Sequence, residues 1–237
     1  MKIRVIHAIT GITETWLKRE EEILRSYAKP DTDFEIVSIR QGAQSIESYF
    51  DIYIGSLNTL RLVQEAEEKG FDGVIITCFG NACVDPAREI VNIPVVGSGQ
   101  ASMLLAAGLG NRFSVIGTVR SAADRHRMEA LKLGLVSKLA SVRCIDARVL
   151  SLHDDLEATL SAMADSGKKA IEEDGAQVLI PGCFGMIGLA ERMQRELGVP
   201  VVDPAGATVK LMETLVDLNL SQSKLAYPIP PPKKRDF

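Results

Sequence analysis

Two apolar runs of this chain, Val74 to Gly80 and Val178 to Gly185, close on the same Cys-Phe-Gly. Laid over each other without gaps, residues 67–80 fall on residues 172–185 at a constant offset of 105, with Glu, Glu, Gly, Cys, Phe and Gly coinciding. A second correspondence, Val5-Ile6 with Val115-Ile116, has an offset of 110. A degenerate repeat of this kind calls for one supersecondary unit used twice, so the chain is expected to fold as two similar halves. A repeat that kept only Gly and Val would speak of folding alone. This one also keeps a reactive side chain in each half.

Each half alternates short apolar runs with helical spacing. In the first, strands are expected at Ile3 to Ile6, Phe34 to Ile39, Gly73 to Thr77 and Pro94 to Val96, with helices at Glu14 to Ala28, Leu57 to Lys69 and Asp85 to Val91. In the second, the strands are Phe113 to Gly117, Val142 to Ile145, Val178 to Pro181 and Pro200 to Val202. Its helices are Ser121 to Leu133, Asp154 to Glu173, Met186 to Leu197 and Pro204 to Leu218, the last with Pro suitably at its first turn. Strand-helix alternation predicts an α/β fold of two pseudo-symmetric lobes, each a parallel sheet flanked by helices. The closing Pro-rich stretch, residues 228–237, reads as an extended surface segment.

At 237 residues and 46% hydrophobic content, the chain can bury a sizeable core. A net charge of −4 argues against nucleic acid or an anionic membrane as partner, because phosphate binding relies on clustered Lys and Arg. No run approaches the length of a membrane-spanning helix, and the N-terminus lacks a small-residue cleavage site, so a cytoplasmic protein is expected. Four cysteines in such a chain are read as free thiols rather than a disulfide framework.

In an open parallel sheet the ligand crevice lies beyond the carboxyl ends of the strands, where Cys78 and Cys183 both fall. Each precedes Phe-Gly and a turn, so backbone N–H groups are expected to point near the sulfur and favour its anion, against an ordinary thiol pKa of about 8.5. Gly80 and Gly185 leave room beside the sulfurs for such a nest. A pair of opposed thiols suits proton exchange at a carbon next to a carbonyl: one thiolate removes the proton, and the opposite thiol supplies another to the other face. Backbone donors at the two turns would stabilise the enolate oxygen. Such a reaction needs no metal and no organic cofactor. Cys144, within a strand and without a repeat partner, is read as core, and Cys83 stands at neither a redox nor a zinc spacing from Cys78. Three scattered histidines make no metal site; His7 ends a strand near the cleft, while His126 and His153 read as ordinary helix or loop positions.

CFGNACVDPARE (Cys78 to Glu89) and GCFGMIGLAERM (Gly182 to Met193) resemble the aspartate/glutamate/hydantoin racemase superfamily, on its hydantoin and allantoin racemase branch. SIESYFD (Ser45 to Asp51) and KLAYPIPPPK (Lys224 to Lys233) are similar to the same branch. The resemblance covers nearly the whole chain. It implies Cys78 and Cys183 as the acid/base pair, with Phe79, Gly80, Phe184 and Gly185 as the turns that hold them. It also implies substrate contacts from Ile9 and Thr10 in the first loop and from Gly117, Thr118 and Val119 after the central strand. Asn81 stands where the branch commonly has Asp, and Gln100 where it has an acidic residue, which raises the possibility of neutral amides at the pocket edge. The implied fold has an N-terminal lobe of residues 1–97 plus 207–237, a C-terminal lobe of residues 98–206, and the site in the cleft between them.

The activity expected from the resemblance is cofactor-independent racemisation or epimerisation of a 5-substituted hydantoin or a related cyclic ureide such as allantoin, by a homo-oligomer acting on a small molecule. Three relatives in chemistry stay open at this point: an amino-acid racemase, a maleate-type cis-trans isomerase and an arylmalonate-type decarboxylase. A non-catalytic two-lobed binding or thiol redox-sensing protein, with Cys78 and Cys83 as a regulatory pair, is the alternative of another class.

Overall fold

The computed structural model describes residues 1–235. Strands β1 (Lys2–His7), β2 (Asp33–Ser38), β3 (Gly73–Ile76) and β4 (Val95–Gly97) form one wholly parallel sheet in the order β2-β1-β3-β4. Strands β5 (Phe113–Gly117), β6 (Leu139–Cys144) and β7 (Val178–Pro181) form a second parallel sheet in the order β6-β5-β7, prolonged by a bridge from Leu179 to Val201. The central strands β1, β3, β5 and β7 are buried along almost their whole length, which is why they read as unbroken apolar runs rather than alternating ones.

The repeat is a repeat of hydrogen bonding. Ile3, Arg4, Val5 and Ile6 of β1 pair with Gly73, Val74, Ile75 and Ile76 of β3; Phe113, Ser114, Val115 and Ile116 of β5 pair with Val178, Leu179, Ile180 and Pro181 of β7. Both offsets seen in the sequence, 110 for the first strand and 105 for the third, therefore hold residue by residue across the two ladders.

Eight α-helices cover the sheets: α1 (Glu14–Tyr27), α2 (Tyr49–Glu68), α3 (Val84–Ile90), α4 (Ser98–Leu109), α5 (Ala123–Lys132), α6 (Leu156–Asp174), α7 (Ala190–Leu197) and α8 (Pro204–Asp217), counted among the described residues. Helix α2 begins well before the apolar periodicity that predicts it at Leu57. Its start is set by a capping box, with Ser48 Oγ accepting from the Asp51 N–H and the Asp51 carboxylate accepting from the Ser48 N–H. Tyr49, Phe50 and Tyr53 in its first turns are exposed, so no buried stripe announces them. Met186 to Leu189 is not helical as expected: a single 3-10 turn spans Phe184–Met186, and α7 starts only at Ala190. The expected strand at residues 200–202 is reduced to its one bridge.

One core cluster joins the two sheets, taking Val5, Ile75 and Val96 from the first, Val115 and Ile180 from the second, and Met103, Ala205 and Val209 from α4 and α8 between them. The opposite faces of the sheets have separate clusters, around Ile6, Val74 and Ile76 in one and Ile116, Leu179 and Met193 in the other. No helix among the described residues is long and apolar enough to cross a membrane. Residues 228–235 run without helix or strand, and Asp236 and Phe237 lie outside the described residues.

Candidate active site

Beyond β3 and β7 the chain makes the same manoeuvre twice. The Thr77 N–H donates to the Ile6 carbonyl at 3.1 Å and the Gly182 N–H to the Ile116 carbonyl at 2.7 Å, each continuing its ladder by one rung. Next comes the cysteine, whose carbonyl closes a turn: Asn81 N–H to Cys78 O at 2.8 Å, Met186 N–H to Cys183 O at 3.0 Å. The end of one strand in each sheet thus delivers a thiol to the same place, although the turns part at their third residue: Asn81 is left-handed, whereas Met186 closes a 3-10 turn.

That place is a cavity of about 70 Å³ lined by Cys78, Phe79 and Gly80 from one turn and by Cys183, Phe184 and Gly185 from the other, with Ile9 and Thr118 also on its wall. Four sequence candidates are not part of the lining. Thr10 is tied to the Ala43 carbonyl through its N–H (2.9 Å) and its hydroxyl (3.3 Å). The Gly117 and Val119 carbonyls are engaged by the Ile145 N–H and the Cys144 thiol respectively. Asn81 borders instead a wider groove of about 580 Å³ that shares Gly80 and Arg125 with the cavity. Its side-chain oxygen accepts from the Gln100 N–H at 3.2 Å, so it serves the first turn of α4. Gln100 turns to Arg88, whose Nη2 donates to its Oε1 at 2.5 Å, and is no part of the cavity wall.

Both thiols are buried enough that desolvation dominates. Burial pushes Cys78 up, opposed by N–H donors of Ala82 and Gly80 and by the Arg125 guanidinium. Burial pushes Cys183 up to about 12, opposed by the Gly185 N–H at 3.4 Å and reinforced by Cys78 and the Glu47 carboxylate. The backbone donors expected from the sequence are present, but the net direction is the reverse of the expected fall in pKa, because burial costs an anion more than the N–H groups return. The other two thiols are accounted for outside the cavity: Cys83 donates to Ser56 Oγ at 3.1 Å, and Cys144 to the Val119 carbonyl at 3.3 Å.

Of the cavity residues beyond the cysteine turns, His7 is expected near the cleft from its place at a strand end, while Trp16 and His126 carry no signature in the sequence. His7 lies between the Glu20 carboxylate (2.9 Å from Nε2) and the Thr77 hydroxyl (2.9 Å from Nδ1), a buried relay that fixes its ring. Trp16 stacks on His153 at 4.1 Å between ring centroids, yet its buried indole N–H has no protein partner. His126, on α5, lines the cavity with neither ring nitrogen hydrogen-bonded, and burial with the Arg125 charge pushes it down to about 3. Leaving such groups unpaired costs about 1 to 3 kcal/mol each, so a folded chain that keeps them on a cavity wall keeps them for a reason. The wall is closed by a strap before α2: Arg125 Nη1 and Ser121 Oγ both donate to the Glu47 carbonyl, at 3.1 and 2.7 Å, while Ile46 enters the lining.

Residues 11–212, which include both cysteine turns, match the family described as Asp/Glu/Hydantoin racemase. The chain belongs to this racemase family. It is 36% identical over 234 residues to a hydantoin racemase of Pseudomonas sp. (strain NS671), covering 99% of this chain and 93% of that protein. Among solved structures it is similar to the allantoin racemase of Pseudomonas fluorescens, at 34% identity and a TM-score of 0.94, covering 100% of both chains. It is equally similar in fold to the allantoin racemase of Klebsiella pneumoniae, at 32% identity and a TM-score of 0.94, covering 100% of this chain and 96% of that one. As a member of the family the protein is an isomerase of the racemase type, built on the two-lobed α/β fold that the sequence predicts.

Proposed function

We propose that this racemase inverts the stereocentre of a 5-substituted hydantoin or a related cyclic ureide such as allantoin, by two-base proton transfer between Cys78 and Cys183. The observation that carries the reading is one small cavity bounded by the two thiol-bearing turns that correspond in the repeat. It suits a flat five-membered ring, and the wider groove beyond Gly80 and Arg125 suits a substituent on that ring.

The chemistry needs one thiolate and one thiol at a time. Cys78 raises the pKa of Cys183, so charging both sulfurs at once is disfavoured, and the reacting form of the pair is the one that carries a single negative charge. Two backbone N–H donors and Arg125 favour that charge on Cys78, against Glu129, whereas Cys183 has one such donor, the Gly185 N–H, against Glu47. In that singly ionised form Cys78 is the base. It takes the proton from the carbon beside the ring carbonyl; the C–H electron pair passes into the enolate; Cys183 then gives its proton to the opposite face. Charge and proton have exchanged sulfurs, and the reverse reaction resets them. Acid, base and oxyanion donors all come from the chain, so no step calls for a cofactor.

The same reading includes a division into a lobe of residues 1–97 plus 207–237 and a lobe of residues 98–206, supported by the packing of α8 on α1, β3 and β4, with α4 meeting α8 from across the division. It also includes a cytoplasmic setting, in which both thiols stay reduced, and a homo-oligomer. Sizing chromatography with light scattering tests the last.

The deciding experiment is proton NMR of L- and D-5-substituted hydantoins, allantoin, L-aspartate and L-glutamate in deuterated buffer, with polarimetry alongside. Loss of the α-proton together with optical rotation on a hydantoin or allantoin is the expected result. Exchange confined to the amino acids, or none on any substrate, would overturn it, and full racemisation by a Cys78→Ser protein would overturn the two-base mechanism.

A further inference from the structure

The chain has three histidines, and two of them are tied down. His7 is fixed by Glu20 and Thr77, and His153 by the Gly185 carbonyl at 2.9 Å. His126 is only 3% exposed and neither Nδ1 nor Nε2 has a protein partner, so the structural role that the other two display does not account for it. Its ring stands edge-on to Phe79, at 5.0 Å between centroids, and so flanks the turn that holds Cys78. It also covers the end of β5: a side chain begun at Gly117 would meet Nε2 and Cδ2 at 3.6 Å. Gly117 answers to His7 at the repeat offset of 110, so each lobe presents one imidazole where its first strand ends, His7 directly and His126 from the neighbouring helix.

We propose that His126 donates a hydrogen bond from its neutral imidazole to the substrate's ring carbonyl oxygen, the atom on which enolate charge gathers as Cys78 removes the proton. The inference rests on the hydantoin-type reading above and names a contact within it. The charge on the same wall sets the polarity of that contact. Arg125 lies beside the ring and lines the cavity with it, so the wall favours an oxyanion and resists a second cation. Because burial keeps the ring unprotonated, it can polarise a carbonyl without giving up a proton that belongs to Cys183. The orphaned nitrogen is then paired only when substrate is bound, which concentrates its effect on the reacting state.

Three histidines make the test direct. In protein labelled with 15N-histidine, allantoin or 5-methylhydantoin is titrated in while the imidazole resonances are followed, each assigned by substitution of the other two residues. The His126 ring signals are expected to move with saturation by more than those of His7 and His153, whose ring nitrogens keep their protein partners. In parallel, His126→Phe is expected to lower kcat about 100-fold, with the thermal transition little changed, and His126→Gln, which keeps an N–H, to recover most of that loss. Static His126 signals at saturating ligand, or wild-type kcat in His126→Phe, would overturn the proposal while the wild-type enzyme still racemises. Should His126→Phe not fold, the labelled wild type and His126→Gln decide. A wild-type protein that neither binds nor turns over these compounds overturns the hydantoin-type reading itself, and the proposal with it.

Discussion

The carbonyl oxygen of Phe79 lies 1.9 Å from where a Cβ of Gly99 would be. The first turn of α4 and the Cys78 turn are pressed together backbone to backbone, with Asn81 capping the helix from the same turn. Replacing Gly99 by Ala forces one of them to move, and neither is a flexible side chain. Overpacking of this kind costs about 1 to 3 kcal/mol. The Gly99→Ala protein is expected to melt several degrees lower and to lose most racemase activity, whereas Gly108→Ala, at a position with open space around it, should match wild type in both assays.

The two cysteines are equivalent in position but not in charge. With Cys183 replaced by Ser, the sulfur favoured by two backbone donors and Arg125 remains, and α-proton exchange from one enantiomer should persist at neutral pH. With Cys78 replaced, the remaining thiol is still pushed up by burial and Glu47 and has one backbone donor, and exchange should be slower and confined to the opposite enantiomer. Net racemisation should fall by at least about 100-fold in both. Deuterium incorporation into each enantiomer separately measures all four rates.

Raised thiol pKa values set opposite trends in activity and stability. Activity requires one thiolate, so kcat/KM should climb as pH rises from 7 past the ordinary thiol range, because Cys78 is pushed up. For stability the sign follows from the folded state binding the proton more tightly. The contribution of the Cys183 thiol is complete below the unfolded value of about 8.5 and is lost as pH climbs towards the folded value of about 12. Denaturant melts between pH 8 and 10.5 should show falling stability, and Cys183→Ala should flatten that slope.

Trp16 holds a second unpaired donor on the cavity wall. Trp16→Phe keeps an aromatic face against His153 and removes the N–H together with the ring atoms that face Gly185. KM is expected to rise about 5- to 30-fold, from the loss of about 1 to 2 kcal/mol, with the melting temperature within a few degrees of wild type. An unchanged KM would remove Trp16 from the substrate's polar contacts.

Much of the architecture was legible because its causes are local. The central strands are buried on both faces and so appear as continuous apolar runs, and the offset between Cys78 and Cys183 reflects two ladders built in the same register. The start of α2 was less legible, since its capping box at Ser48 precedes residues that stay exposed.

What the sequence by itself determined was the parallel two-lobed α/β plan and the pairing of Cys78 with Cys183, because strand period, turn residues and an internal repeat are properties of neighbours along the chain. Tertiary structure alone decided which side chains meet at those thiols. Arg125 and His126 are an unremarkable dipeptide until α5 and the Glu47 strap enclose them, and Asn81 becomes a helix cap only where Gly97 and Gly99 let two turns touch. The direction of the thiol pKa values was decided there too, since the donors beside each sulfur are local while burial is a property of the assembled cavity wall.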